Sequence, residues 1–234
     1  MIVKDGWTFI IAGFFLTIII LISAIKWDSR GLLILSAVFA ILTIFTAFFF
    51  RDPDRTSPND PRSLVAPADG KIVAVKEIEN HPFIGGPAIR VSIFLSIFDV
   101  HVNRVPAEGI IDYVKYNPGK FFAAFEEKAS DKNEQTEIGM TTSTGQKIVF
   151  SQIAGIIARR IVCNLKDGDK ATKGERFGLI RFGSRSDLII PKNCELNVKI
   201  GDKVTGGVTE IAYLKAADSN NQDEINVENN NAEH

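Results

Sequence analysis

The stretch GLIRFGSRSDLIIP, Gly178 to Pro191, sets two short apolar runs, GLIRF and DLIIP, on either side of a polar knot. Each run is too short for a stable helix, is rich in strand-forming residues and is bounded by glycine or proline, which predicts a pair of β-strands. The same grammar recurs outward in both directions, in KIVAVKEI, AIRVSIFLSI, GIIDYVKY, KIVFSQIAG, RRIVCNL and LNVKI. Short strands punctuated by Gly, Pro, Asn and Asp predict a mainly β domain over residues 64–215, a β-sandwich or barrel-like hybrid. One amphipathic exception is GKFFAAFEEKAS, Gly119 to Ser130, where Phe121, Phe122 and Phe125 recur at helical spacing.

The amino-terminal part has a different composition. Trp7 to Ile25 and Gly31 to Phe50 are uncharged apolar runs of near twenty residues, each long enough as a helix to cross a hydrocarbon core about 30 Å thick. With the short connector KWDSR between them they predict a membrane-anchoring helical hairpin over residues 1–50, either crossing the bilayer or dipping into one leaflet. Lys4, Arg51, Arg55 and Arg62 flank it against Lys26 and Arg30 in the connector, which favours a cytoplasmic location for both ends, at the inner membrane of the cell. The next residues, RDPDRTSPNDPR, carry three prolines among alternating charges and predict an extended, solvated linker over 51–63. From 216 onward the chain is acidic, rich in Asn and without aromatics, the composition of a disordered tail. The 234 residues have a formal net charge of −1, which leaves no electrostatic footprint for nucleic acid. Cys163 and Cys194 are the only cysteines and suggest neither a disulfide framework nor a metal site, so reduced thiols are expected.

Two segments echo each other: DGDKATKGERFGLI and IGDKVTGGVTEIA each open on Gly-Asp-Lys, pass through a further glycine and continue into an apolar run. The chemistry is that of paired tight turns, as in biotinyl- or lipoyl-type β hybrids. The lysine at a hairpin tip that a carrier would need is missing.

Chemistry-bearing residues are few. Of the three histidines, His234 lies in the tail and His81 in an expected surface loop before Pro82, leaving His101 in FLSIFDVHVNRVP. Read as one strand, that segment places Asp99 and His101 on the same face. Asp69 lies in a Pro-Ala-Asp-Gly turn, and Arg159, Arg160, Arg181 and Arg185 form a sparse basic set suited to phosphate by fork geometry. At Gly183-Ser184 a strained glycine would let the serine hydroxyl attack the preceding carbonyl, given a base to take its proton. The resulting ester would eliminate to dehydroalanine and hydrolyse to a pyruvoyl group.

Together, RFGSRSDLIIP, FLSIFDVHVNRVP, APADGKI, GERFGLI and the FFRDPDR immediately after the hairpin resemble the short bacterial form of phosphatidylserine decarboxylase, from about Phe49 to Leu214. The resemblance implies a membrane-associated proenzyme that cleaves itself between Gly183 and Ser184 into a β chain, 1–183, and an α chain, 184–234, beginning with a covalent pyruvoyl cofactor. It implies decarboxylation of phosphatidylserine to phosphatidylethanolamine and CO2, with Ser184 as pyruvoyl precursor and Schiff-base partner of the substrate. His101 would then be the processing base and proton donor, and Asp69 the acid that orients it. Longer members carry a second histidine where this chain has Arg104, so His101 is expected to serve both steps.

From the residues alone, Asp99 remains an alternative to Asp69 as the partner of His101. Arg185 and Arg181 are the candidates for the substrate phosphate, and no metal is expected. Partners would be phosphatidylserine, the lipid membrane and the protein's own two chains, with homo-oligomerisation left open. Two other readings are a membrane-tethered biotinyl/lipoyl-like adaptor without catalysis, and a decarboxylase of a related serine phospholipid such as archaetidylserine.

Overall fold

The computed structural model describes residues 1–119, 133–155, 161–180 and 184–215. Most of the expected amphipathic helix, Arg159, Arg160, Arg181, Gly183 and the tail lie outside these residues.

Two apolar helices, α1 (Lys4–Lys26) and α2 (Arg30–Phe49), pack side by side. Ser29 caps α2 by accepting from the Leu32 amide at 3.4 Å, which starts the helix directly after the connector. Their outward side chains, among them Ile19, Ile22, Ile34 and Ile44, are exposed, a surface suited to hydrocarbon, and at 1.5 Å per residue each helix is about 30 Å long or more. The hairpin is rooted at the start of the segment that joins it to the β domain. Val3 N donates to Phe50 O at 2.9 Å and Asp52 N to Met1 O at 2.7 Å, so both helix ends meet at one base.

The remaining described chain is antiparallel β. Its strands are β1 (Ser63–Val65), β2 (Gly70–His81), β3 (Gly86–Leu95), β4 (Val102–Arg104), β5 (Gly109–Asn117), β6 (Gln135–Thr142), β7 (Lys147–Ile153), β8 (Ile161–Cys163), β9 (Lys170–Ala171), β10 (Arg176–Ile180), β11 (Ser184–Pro191), β12 (Glu195–Leu196), β13 (Lys203–Val204) and β14 (Glu210–Tyr213). Eight of them form a curled sheet in the order β13-β2-β3-β11-β7-β6-β5-β9, and two three-stranded sheets, β1-β14-β12 and β4-β10-β8, complete the domain. Ile72, Ile93, Ile111, Ile138, Phe150 and Leu188 point inward from the curled sheet and meet Phe177 from β10 in one core. The mainly β hybrid expected from the sequence is therefore the observed fold.

The Gly-Asp-Lys echo belongs to a larger pseudo-twofold relation. Gly168 N donates to Ile111 O and Ile111 N to Asp169 O; in the other copy Gly201 N donates to Ile72 O and Ile72 N to Asp202 O. Six residues on, Gly174 N bonds Val105 O as Gly207 N bonds Ala66 O, and all four glycines have positive φ. The strands facing these turns repeat as well, through Pro67-Ala68-Asp69-Gly70 and Pro106-Ala107-Glu108-Gly109. They clasp reciprocally: Val65 N donates to Pro106 O and Arg104 N to Pro67 O, both at 2.9 Å. Asp69 thus occupies one of two equivalent crossing loops, and Glu108 the other.

The expected solvated linker differs from the observed segment. Residues 51–62 lack regular secondary structure, but Asp52 is buried, its Oδ1 accepting from Arg104 Nη2 at 2.9 Å and its Oδ2 pairing with Arg176 Nε at 2.5 Å. Arg55 pairs with Asp69, and Ser57 Oγ donates to Gly207 O at 2.6 Å. The charges that look like solubilising residues are the pins that fasten the hairpin to β4 and β10. Removing Asp52 strands the buried Arg104 cation, at a cost of about 3–5 kcal/mol. Thermal unfolding of Asp52→Ala should therefore fall by roughly 10 °C in detergent. Asp54→Ala, which removes only an exposed partner of Arg176, should shift it by no more than about 2 °C.

Candidate active site

His101 lies just beyond a tight turn. β3 ends at Leu95, and Ser96 to Asp99 closes on itself, the Asp99 Oδ2 accepting from Ser96 N at 2.8 Å and from Ser96 Oγ at 2.7 Å. Asp99 and His101 therefore do not share a strand face as the sequence suggested, because the strand has already ended. The contact between them runs through the main chain instead, with His101 Nδ1 3.0 Å from Asp99 O. A carbonyl can only accept, so Nδ1 carries the proton and Nε2 presents a free lone pair. The residue is fully buried, and the Phe49 ring at the foot of α2 packs on the imidazole with centroids 4.1 Å apart. Burial lowers the His101 pKa to about 4, and the attraction of Asp99 and Asp69, opposed by Arg51, restores only part of the loss. The histidine is neutral at ordinary pH.

Ser184 opens β11, where it pairs with Leu95 of β3. It too is fully buried. Ser184 Oγ and His101 Nε2 are both buried atoms with no hydrogen-bond partner among the described residues, a rare condition for one nucleophile and one base. The two lie in neighbouring parts of the fold. Ile180 N donates to His101 O at 3.3 Å, and Ser184 is four residues further along, within about 14 Å of extended chain.

Alternation along β11 separates the expected residues. Ser184, Ser186 and Leu188 share a face, whereas Arg185 and Asp187 share the other. Arg185 is itself buried and committed, its Nε donating to Asp187 Oδ1 at 2.6 Å and its Nη2 to Ser92 Oγ at 2.5 Å. It does not fit the expected role on a substrate phosphate, since it turns away from Ser184 and is already neutralised. Arg181, the other candidate, is outside the described residues. Arg104 is spent on Asp52, Pro53 O and Gly174 O.

Asp69 is placed differently from the expectation that it holds the His101 ring. Its carboxylate takes a bidentate pair from Arg55, at 2.5 and 2.8 Å, and accepts from Gly206 N at 2.8 Å. Asp69 acts on His101 through its field, while the Asp99 carbonyl sets the ring orientation.

Two amides escaped the sequence reading. Asn103 follows His101 by two residues, and Gln152 on β7 pairs with Ser186, two residues beyond Ser184. Gln152 Nε2 donates to Asn103 Oδ1 at 2.9 Å and to Val162 O at 3.0 Å, leaving Asn103 Nδ2 and Gln152 Oε1 buried without a described partner. The nearest signal in the sequence is Gly178: a Cβ there would sit 2.6 Å from Gln152 Nε2 and 2.2 Å from Val162 O, so this strand glycine makes room for the amide.

The family model for phosphatidylserine decarboxylase matches residues 42–212, which include every one of these groups. Proteins named phosphatidylserine decarboxylase proenzyme are similar over nearly all of their length. That of Desulfotalea psychrophila is 45% identical over 211 residues, covering 90% of this chain and 95% of the relative. That of Salinibacter ruber is 46% identical over 195 residues (82% and 85%), and that of Chlorobium phaeobacteroides 48% over 186 residues (78% and 86%). A buried serine at the head of a strand, a neutral buried histidine and a match on this scale place the chain in one group: it belongs to the phosphatidylserine decarboxylase family.

Proposed function

We propose that the protein is a self-processing, pyruvoyl-dependent decarboxylase that converts phosphatidylserine to phosphatidylethanolamine and CO2. The observation that carries this reading is the pair of partnerless buried atoms, Ser184 Oγ and His101 Nε2. A non-catalytic adaptor has no use for them, and the relatives are named as decarboxylase proenzymes.

In processing, His101 Nε2 takes the hydroxyl proton as Ser184 Oγ bonds to the Gly183 carbonyl carbon. In this reading the oxygen that gains charge is met by Asn103 Nδ2, a buried donor without a partner among the described residues. Breakage of the Gly183–Ser184 C–N bond returns the proton to the departing nitrogen and leaves an ester. Loss of a proton from the Ser184 α-carbon, with expulsion of the Gly183 carboxylate, gives dehydroalanine, and water then releases ammonia and leaves the pyruvoyl carbonyl.

The site's residues fit that group, since the serine that would become it is fully buried and its hydroxyl has no competing partner among the described residues. Once formed, it supplies an electron sink for loss of the substrate carboxylate. The substrate ammonium must shed a proton before its nitrogen can attack a carbonyl. His101 Nε2 accepts it and returns it to the α-carbon after CO2 has left, so one histidine serves both steps. The apolar hairpin keeps the domain at the cytoplasmic face of the inner membrane, where the headgroup is presented.

On a denaturing gel with intact-mass analysis, the wild-type chain should give two fragments meeting at Gly183/Ser184, the smaller with a carbonyl in place of its amine. Ser184→Ala and His101→Ala should remain single chains. An uncut wild-type chain that is folded would remove the reading.

The charge state of His101 gives a pH signature. Its folded pKa lies below the ordinary value near 6.5, so the neutral base persists as pH falls until about 4. Self-cleavage of freshly synthesised chain should be nearly flat from pH 8 to pH 5 and fall below it. A fall centred near 6.5 would show an exposed histidine or another base.

The two aspartates separate by mechanism. Asp99→Asn keeps the main-chain carbonyl and the turn, and should cleave within about threefold of wild type. Asp69→Asn loses the charge that holds Arg55 in a bidentate pair beside the Gly206 amide, and should cleave about ten- to a hundredfold slower. Asn103→Leu should cost roughly a hundredfold. Equal rates for Asp69→Asn and wild type would take Asp69 out of the mechanism.

A further inference from the structure

The turn that ends in Asp99 carries its two most apolar residues outward. Phe98 is 64% exposed and Ile97 is also exposed, although both come directly after the buried strand end at Leu95. Elsewhere on the described domain the exposed large apolar side chains, such as Tyr116, Ile200 and Val208, stand apart in sequence. Phe98 is continuous with the hairpin instead: its ring meets Phe45 of α2 edge to face, with centroids 6.4 Å apart, and Phe45 lies 6.5 Å from Phe48.

This contact fixes a depth. Phe45 is one turn up the helix from Phe49, about 6 Å along its axis. If the foot of α2 stands at the membrane surface, the Phe98 ring lies about 6 Å inside it, the depth at which interfacial side chains are buried between headgroups and acyl chains. Arg51 braces the arrangement. Its Nη1 donates to Phe48 O at 2.9 Å, its Nη2 to Phe98 O at 2.7 Å, and its guanidinium lies 3.8 Å over the Phe48 ring.

We infer that the Ser96–Asp99 turn is a second membrane-contacting element, whose Ile97 and Phe98 side chains enter the headgroup/acyl boundary of the bilayer beside α2. The occupant of this apolar tip is lipid, because its surface continues that of the hairpin and the brace between them is the Arg51 cation, a charge suited to anionic headgroups. The inference rests on the reading of the protein as a membrane-bound phospholipid decarboxylase and adds where the bilayer ends. The same turn offers the Asp99 carbonyl to His101 Nδ1, so the catalytic histidine hangs from the inserted loop three residues from its tip. The phospholipid headgroup then reaches the buried site laterally from the bilayer surface, without the acyl chains leaving it.

The test uses the full chain in vesicles of phosphatidylglycerol containing phosphatidylserine. With Trp7 and Trp27 replaced by Phe, Phe98→Trp provides a single reporter. Its emission should be blue-shifted and quenched by phospholipids brominated on the upper acyl chain, and shielded from aqueous iodide. Emission typical of water, quenched by iodide and not by brominated lipid, would overturn the inference, whatever the chain catalyses. A second measurement compares Phe98→Asp with wild type on long-chain phosphatidylserine in vesicles and on soluble glycerophosphoserine. The ratio of the two rates should fall at least tenfold, with cleavage into two fragments intact. An unchanged ratio, or a change in sedimentation showing that Phe98 joins two copies, would overturn it. Failure of the wild-type chain to cleave or to release CO2 would instead fall on the proposed function, and the fluorescence result would still stand or fail by itself.

Discussion

Asp52 sits in the interior between two arginines, and most of the site depends on that placement. A carboxylate this enclosed is tolerable only when its charge is met, and Arg104 from β4 and Arg176 from β10 meet it from two strands. Those strands pair with one another, and their ends lead to His101 on one side and Ile180 on the other. The carboxylate also lies directly beyond the foot of α2, so the same charge cluster fixes Phe49 against the imidazole. Hairpin, histidine and the chain leading to Ser184 thus share one anchor. An exposed tether would leave His101 open to water and near its ordinary pKa.

The pseudo-twofold frame explains where reactive groups could be placed. Reciprocal clasps between the two crossing loops give a rigid centre built from main-chain bonds, which does not depend on side-chain identity. Side chains at equivalent positions were therefore free to diverge. Asp69 holds Arg55 and the Gly206 amide at one crossing, whereas the Glu108 side chain lines a polar surface cleft with Lys173 at the other. Arg55 lies between the two, pairing with Asp69 at the first crossing and lining the Glu108 cleft of the second.

Much of this was readable from the sequence, for definable reasons. Long strands such as β2, β3 and β5 carry enough β-branched residues to declare themselves, and the hairpin is marked by uninterrupted apolarity. β6, QTEIGMTT, gives no such signal, since Gly139 and three threonines dilute it, yet it pairs along its whole length with β5 and β7. Sheet order was not legible, because pairings such as β13 with β2 join residues more than a hundred positions apart. Charge misled twice. Residues 51–62 resemble a solvated linker because burial of Asp52 depends on arginines distant in sequence, and Arg185 resembles a phosphate ligand because its partners Asp187 and Ser92 appear only once β11 is laid beside β3. Asn103 and Gln152 escaped notice because an amide has no motif until its neighbours are known.

On the proposed function, processing and lipid chemistry make opposite demands on one nitrogen. Attack by Ser184 needs a neutral base, and burial under Phe49 provides one by setting about 3 kcal/mol against charging the imidazole. Protonation of the carbon that loses CO2 needs an acid, which a histidine of that pKa is not at rest. The conflict resolves if the substrate brings the proton, because an ammonium in a dry site gives up its proton more readily than in water. A low-pKa histidine passes such a proton on easily, since it holds it weakly. On the proposed function the hairpin contributes to catalysis as well as to anchoring: by covering one face of His101, Phe49 at its foot helps make the same side chain serviceable first as base and then as carrier.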